Sequence, residues 1–155
     1  MATGDRRLVT SEPGAAAEGP DPVGLVLGAL GFAAVLGIGL QTLVTIGVDA
    51  LKAGAPPTDR PSLTAPHALV LLLGTPAGIA LAGYAAWSLL APIRNAWRQA
   101  MLAIVSGLGS FVLSVLVIWP VHANFGRPGL IGLAMGASLA AAGLYGRIVA
   151  KRGAR

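Results

Sequence analysis

The sequence predicts an all-α fold, an integral membrane four-helix bundle with both termini in the cytoplasm. Three observations carry this prediction: the composition, four uncharged apolar runs, and an uneven distribution of cationic residues along the chain. Of the 155 residues, 55% are hydrophobic and only 11% are charged, and the mean hydropathy is +0.75. Soluble domains contain about 25% charged residues. We therefore expect this chain to lie in a lipid bilayer.

Residues 1–22 are predicted to form a disordered cytoplasmic tail. They mix Arg6 and Arg7 with acidic residues, glycine, alanine and proline, without a hydrophobic period. A secretory signal would place its basic start directly before a short apolar run. The run that follows here, residues 23–48, is too long for such a signal. As a helix it would extend about 39 Å, enough to cross a hydrocarbon layer of about 30 Å, so it is the first predicted span.

Three further uncharged runs predict three more spans, each near the ~20 residues that a crossing needs. They cover residues 68–91, 100–121 and 129–146. Prolines mark the connections, because proline favours an extended loop yet is tolerated in the first turn of a helix. Pro66, Pro92 and Pro128 fit such first turns, and four prolines lie within residues 53–66. The transmembrane domain is thus predicted at residues 23–150, before a basic cytoplasmic tail at 151–155.

The cationic residues predict the orientation, because lysine and arginine concentrate on the cytoplasmic side of membrane proteins. With four spans, one side receives Arg6, Arg7, Arg94, Arg98, Arg147, Lys151, Arg152 and Arg155. The other side receives Lys52, Arg60 and Arg127, with a short turn at residues 122–127. The richer side should be cytoplasmic, in what we expect to be a bacterial inner membrane. This bias also explains the net charge of +5 without a nucleic-acid partner.

Small and polar residues at four-residue spacing predict where the helices meet, since helices associate in lipid through close backbone approach and interhelical hydrogen bonds. The first span carries Ala29, Ala33, Gly37, Gln41 and Thr45 on one face. The other spans carry Gly74 and Gly78, then Ser106, Ser110 and Ser114, then Gly132 and Gly136. Either helix packing or the lining of a pore would account for this pattern.

Two features of the spans each have two possible interpretations. Gln41 needs partners in hydrocarbon, and we expect it to face the serine row, as a packing bond or as part of a polar lining. Pro76 between Gly74 and Gly78 predicts a kink in the second helix; a broken helix with a binding site is the other interpretation.

At the cytoplasmic interface, Arg94 and Arg98 lie four residues apart around Trp97. A helix would place both guanidinium groups at the level of the lipid headgroups. Topogenic charge beside an interfacial anchor is the first interpretation, and contact with anionic lipid is the second.

The chain offers little for catalysis or cofactor binding. The four spans contain no ionisable residue, which disfavours ion-coupled transport, and there is no cysteine. The metal-ligand candidates are His67 and His122, which with Asp49 and Asp59 could converge on the outer side, but no spacing requires a metal site. Catalytic motifs are absent. We therefore predict neither cofactor nor metal, and no enzyme.

Two functional hypotheses follow. The first is a structural or accessory subunit that packs against a partner membrane complex, or against copies of itself, through its small-residue helix faces. The second is a small homo-oligomeric channel, exporter or holin-like pore former, lined by Gln41, Thr45 and the serine row.

Overall fold

The computed structural model describes residues 22–53 and 65–153, and this part of the chain forms three α-helices. These are α1 (Pro22–Ala53), α2 (Ala65–Leu89) and α3 (Ala96–Gly153). No strand occurs among the described residues. The predicted all-helical class is confirmed. The predicted N-terminal tail up to residue 21 and the proline-rich connection at 54–64 lie outside the described residues.

All three helices are long and apolar enough to cross a membrane. With 32 residues, α1 extends about 48 Å. Many large apolar side chains are exposed on the outer surface of the three helices, among them Leu72, Leu116 and Leu139. Extensive exposed apolar surface of this kind is typical of a surface that contacts a membrane or a partner protein. The composition and length of the helices are those of a multi-pass membrane protein.

The helix count differs from the prediction, because the third and fourth predicted spans belong to one helix, α3, that is interrupted only at Gly126. This residue has φ 59° and ψ −146°, outside the helical region, in a part of backbone space that is open essentially to glycine alone. Pro128 cannot donate the next backbone hydrogen bond. The loop predicted at residues 122–127 is therefore a one-residue break. We call residues 96–125 the first arm of α3 and residues 127–153 the second arm.

The two arms of α3 fold back on each other, as their contacts with α1 show. A Cβ atom placed on Gly37 would overlap the side chain of Ser110, and one on Gly39 would lie 3.4 Å from the Cβ of Ala137. Ser110 and Ala137 would be about 40 Å apart on an uninterrupted helix, whereas Gly37 and Gly39 are about 3 Å apart along α1. Both arms therefore lie against the same region of α1.

The contacts also define the direction of each helix. Gly37 faces Ser110 and Asp49 pairs with His122, so the first arm runs parallel to α1. The second arm runs antiparallel, since the rings of Phe32 and Tyr145 lie 6.0 Å apart while Ala137 lies further along α1, at Gly39. α2 is antiparallel to α1 as well, as the contacts of Gly74 with Val44 and of Gly78 with Gln41 show.

This arrangement has two ends. The Leu90 end contains the start of α1, the turn between α2 and α3, and the end of the second arm; there Ala29, Leu89 and Leu90 form a buried cluster, joined by Leu25 and Ile148. The Gly126 end contains Asp49, His122 and the break in α3.

Candidate functional site

The predicted stripe on α1 lies on the side of the helix that packs against the others. Ala29, Ala33, Gly37 and Gln41 are buried, and Thr45 is half-buried. Thr42, which the stripe omitted, is fully buried. Because residues four apart share one face of a helix, the small side chains let α1 approach the other helices closely. This face is the main packing surface of α1.

The serine row of the first arm is buried against α1. Ser106, Ser110 and Ser114 are at most 3% exposed. Their hydroxyl groups donate to backbone carbonyls of their own helix: to Leu102 at 2.6 Å, to Gly107 at 2.7 Å and to Ser110 at 2.6 Å. With their hydroxyl groups satisfied in this way, the serines act as small packing residues, and Gly37 of α1 leaves room for Ser110.

Gln41 does not donate to the serine row, contrary to expectation, but to α2. Its Nε2 atom donates a hydrogen bond of 2.9 Å to the carbonyl oxygen of Thr75. The neighbouring hydroxyl groups of Thr42 and Thr45 donate within α1, to Ile38 and to Gln41 itself. Gln41 therefore joins α1 to α2 through the backbone next to Pro76.

Gly74 and Gly78 lie at the same junction. A Cβ atom on Gly74 would come within 2.8 Å of Val44, and one on Gly78 within 2.6 Å of Nε2 of Gln41. Pro76 lies between them with an exposed side chain, and α2 stays helical across it. The interpretation of α2 as a broken helix with a binding site therefore gains no support from the described residues.

The second arm packs through a face that was not predicted from the sequence. Its buried residues are Leu130, Ala134, Ala137 and Ala141, at the i, i+4, i+7 spacing of one helix face. This spacing was visible in the sequence but was obscured by the nearby glycines.

Gly132 and Gly136, where we expected the second arm to meet the other helices, point outward instead. In the described part of the chain, no atom beyond the adjoining backbone of the same helix lies within 4 Å of a Cβ atom placed on either of them, and the same holds for Gly143. With the exposed Ala140, they form what we call the outer glycine face of the second arm. Within residues 22–53 and 65–153, no other helix packs against these glycines.

Two contacts between α2 and the first arm were missed as well. A Cβ atom on Gly107 would lie 2.8 Å from the carbonyl oxygen of Ile79 and 3.3 Å from the Cα of Gly83. The buried Gln99 donates a hydrogen bond of 2.9 Å to the carbonyl oxygen of Trp87, near the end of α2. The sequence did contain a signal for the glycine contact, because Gly83 and Gly107 are equally far from Asn95 in the turn. Residues equally far from the turn face each other in a helical hairpin.

Above the glycine contact, α2 and the first arm enclose an open apolar groove of about 410 Å³. Its walls include Tyr84 and Trp87 on α2, and Ile104 and Leu108 on the first arm. We call it the α2–α3 groove.

The residues predicted to contact lipid headgroups, Arg94, Trp97 and Arg98, are exposed at the Leu90 end. Asn95 caps the first arm, because its Oδ1 atom accepts a hydrogen bond of 3.2 Å from the backbone N–H of Arg98. The predicted first-turn proline of this helix, Pro92, lies before it, since α3 begins at Ala96. Both arginines thus lie at the Leu90 end, at the edge of the apolar region.

Of the four residues considered for an outer metal or acid/base site, two come together. Nδ1 of His122 lies 3.6 Å from Oδ2 of Asp49, with the side chains 46% and 20% exposed. Asp59 lies outside the described residues, and His67 is buried near the start of α2. Within the described residues, no three histidine, aspartate or glutamate side chains form a group able to hold a metal.

Comparison with known proteins adds nothing to the geometry. No protein family, no curated protein and no solved structure matches it.

Proposed function

We propose that this protein is a structural or accessory subunit of a membrane assembly, which binds a helix of a partner protein, or of a second copy, at the outer glycine face of the second arm. The single observation behind the proposal is the open space around Gly132, Gly136 and Gly143. Glycines at this spacing let two helix backbones approach closely in lipid. Gly74 and Gly78, by contrast, already serve a helix contact, since both face α1.

The polar interior supports a structural role. Gln41, Ser106, Ser110 and Ser114 are buried, and each donates a hydrogen bond to a backbone carbonyl. The interhelical bond of Gln41 stabilises a bundle in lipid, and the intrahelical bonds of the serines satisfy their buried hydroxyl groups. The same bonds leave the pore hypothesis without a supporting observation among the described residues, because the polar side chains that would line a pore are engaged in packing.

The proposal includes four crossings with both termini in the cytoplasm of a bacterial cell. Each arm of α3 is about 40 to 45 Å long, sufficient for one crossing. The break at Gly126 and the packing of both arms on α1 support a return through the membrane. Arg94, Arg98 and Arg147 share the Leu90 end, whereas Lys52 and Arg127 lie near the Gly126 end, which supports a cytoplasmic Leu90 end.

The proposal is tested with Gly136→Leu, which fills the outer glycine face, and with Ala142→Leu as the control on an exposed side of the same arm. The wild-type protein is purified in a mild detergent, its mass is measured, and co-purifying chains are identified by mass spectrometry. We expect a stable complex with a partner or a second copy, which Gly136→Leu weakens at least tenfold and Ala142→Leu preserves. A wild-type protein that remains a monomer without co-purifying chains contradicts the proposal.

A further inference from the structure

The α2–α3 groove has the dimensions of a site for one lipid acyl chain. Its residues on the first arm extend from Ala100 to Leu108. Leu108 lies about 15 Å along the helix from Arg98, and half of a hydrocarbon layer of about 30 Å is also about 15 Å thick. A chain that starts at the level of Arg98 therefore reaches the far end of the groove within one leaflet.

The groove results from the glycine contact between α2 and the first arm, which forms its floor. Gly83 and Gly107 meet there without side chains, so the helices come close while the surface above them stays hollow. Tyr84 and Trp87 form one wall, and Ile104 and Leu108 form the other. The hydrogen bond from Gln99 to the carbonyl of Trp87 holds the two helices together at the head of the groove. The hollow is thus part of the packed hairpin and does not require a ligand to form.

Two cationic side chains lie near the end of the groove that is close to the Leu90 turn of the chain, between α2 and α3. Arg98 lies two residues before Ala100, the first groove residue of the first arm, and Arg94 lies in the turn that precedes α3; both side chains are exposed. Asp49 is the only carboxylate side chain within residues 22–53 and 65–153, and it lies at the opposite end beside His122. The described part of the chain therefore offers these arginines no carboxylate partner. Guanidinium groups bind phosphate oxygens with two parallel hydrogen bonds.

We propose that the α2–α3 groove binds an anionic glycerophospholipid, with one acyl chain between Tyr84, Trp87, Ile104 and Leu108 and with the headgroup phosphate at Arg94 and Arg98. We choose this occupant because an anionic headgroup complements the charge of the two arginines. A second copy of this chain would instead bring a further cationic Leu90 end to the same place. The site does not depend on the proposed role as a subunit.

The test uses tryptophan fluorescence in vesicles of phosphatidylcholine. The variant Trp97→Phe/Trp119→Phe keeps Trp87 in the groove, and Trp87→Phe/Trp97→Phe keeps Trp119 as the control, exposed on the distal half of the first arm. Phosphatidylglycerol or phosphatidylcholine with brominated acyl chains is added at equal mole fractions. We expect brominated phosphatidylglycerol to quench Trp87 with an apparent affinity at least tenfold higher, because each arginine contributes roughly fivefold. Trp119 should be quenched equally by both lipids.

Two further substitutions separate the headgroup from the acyl chain. Arg94→Gln/Arg98→Gln should abolish the preference for phosphatidylglycerol, whereas Arg127→Gln/Arg147→Gln, with the same net charge, should retain it. Ala80→Phe, at an exposed position of the groove wall, should reduce the quenching of Trp87 by either lipid. The proposal is overturned if Trp87 shows no preference in the wild-type groove, if the preference survives loss of both arginines, or if Ala80→Phe changes nothing. It is also overturned if neither lipid reaches Trp87 because a second copy fills the groove.

Discussion

The side chain of Gln41 on α1 donates a hydrogen bond of 2.9 Å to the backbone carbonyl of Thr75 on α2, one residue before Pro76. An amide in hydrocarbon needs such a partner, because water is absent there. Gly78 makes room for the amide, since any Cβ atom at that position would overlap it. The polar residue and the glycine thus form one joint between the two helices.

Gln41→Leu should destabilise the folded protein by about 0.6–2 kcal/mol, because it removes this interhelical bond while nearly preserving the side-chain volume. Titration with a denaturing detergent, followed by circular dichroism, measures the change. Thr45→Val is the matched control one turn away, since the Thr45 hydroxyl bonds only within α1. If both variants are equally stable, the Gln41–Thr75 bond does not contribute as described.

Gly78→Ala should destabilise the protein through Gln41, because the new methyl group displaces the amide from Thr75. In a Gln41→Ala background this cost should fall, with a coupling energy of at least about 0.5 kcal/mol in a double-mutant cycle. Gly74→Ala is the control, since it meets Val44 and should cost the same in both backgrounds. Additive effects of Gly78→Ala and Gln41→Ala would refute the shared joint.

Gly107→Ala should cost about 1–3 kcal/mol, because the methyl group would overlap the carbonyl of Ile79, a backbone atom that cannot rotate away. Gly109→Ala, two residues further on, meets no atom within 4 Å and should change stability by less than about 1 kcal/mol. The same detergent titration compares the two variants. Equal losses would show that the contact between α2 and the first arm is looser than described.

Gly126→Ala should destabilise the protein by about 1–3 kcal/mol through the backbone alone. Its φ of 59° disfavours any side chain, although no neighbouring atom lies within 4 Å. Gly109→Ala, also in open space but with helical backbone, is the control and should change stability by less than about 1 kcal/mol. Thermal unfolding in mild detergent measures both. A neutral Gly126→Ala would mean that the arms of α3 do not require this break.

The proposed topology is tested by single cysteines in a chain that has none of its own. Ala123→Cys lies near the Gly126 end and Ala91→Cys at the Leu90 end, both at exposed positions. In intact cells, an impermeant thiol reagent should label Ala123→Cys only, and both should react after the membrane is permeabilised. Labelling of Ala91→Cys alone in intact cells would show that the protein has the opposite orientation in the membrane.

The membrane-embedded part of the fold follows from local properties. Long uncharged runs form helices because lipid offers no partner for backbone N–H and C=O groups. The starts of the first three predicted spans lie within four residues of the observed helix starts at Pro22, Ala65 and Ala96. The four-residue stripe on α1 was also readable, because one helix face is a periodic property. The helix count differed, since a single glycine with positive φ makes the turn at Gly126.

By itself, the sequence determined that this protein is helical and apolar enough for a bilayer. It also determined which face of α1 is buried. Only the tertiary structure decided which small residues serve contacts: Gly37 and Gly107 pack against other helices, whereas Gly132 and Gly136 remain open. It also directed Gln41 to Thr75 and away from the serine row. The physical reason is that hydrophobicity and period depend on neighbours along the chain. The partner of a face depends on how helices distant in sequence are rotated against each other.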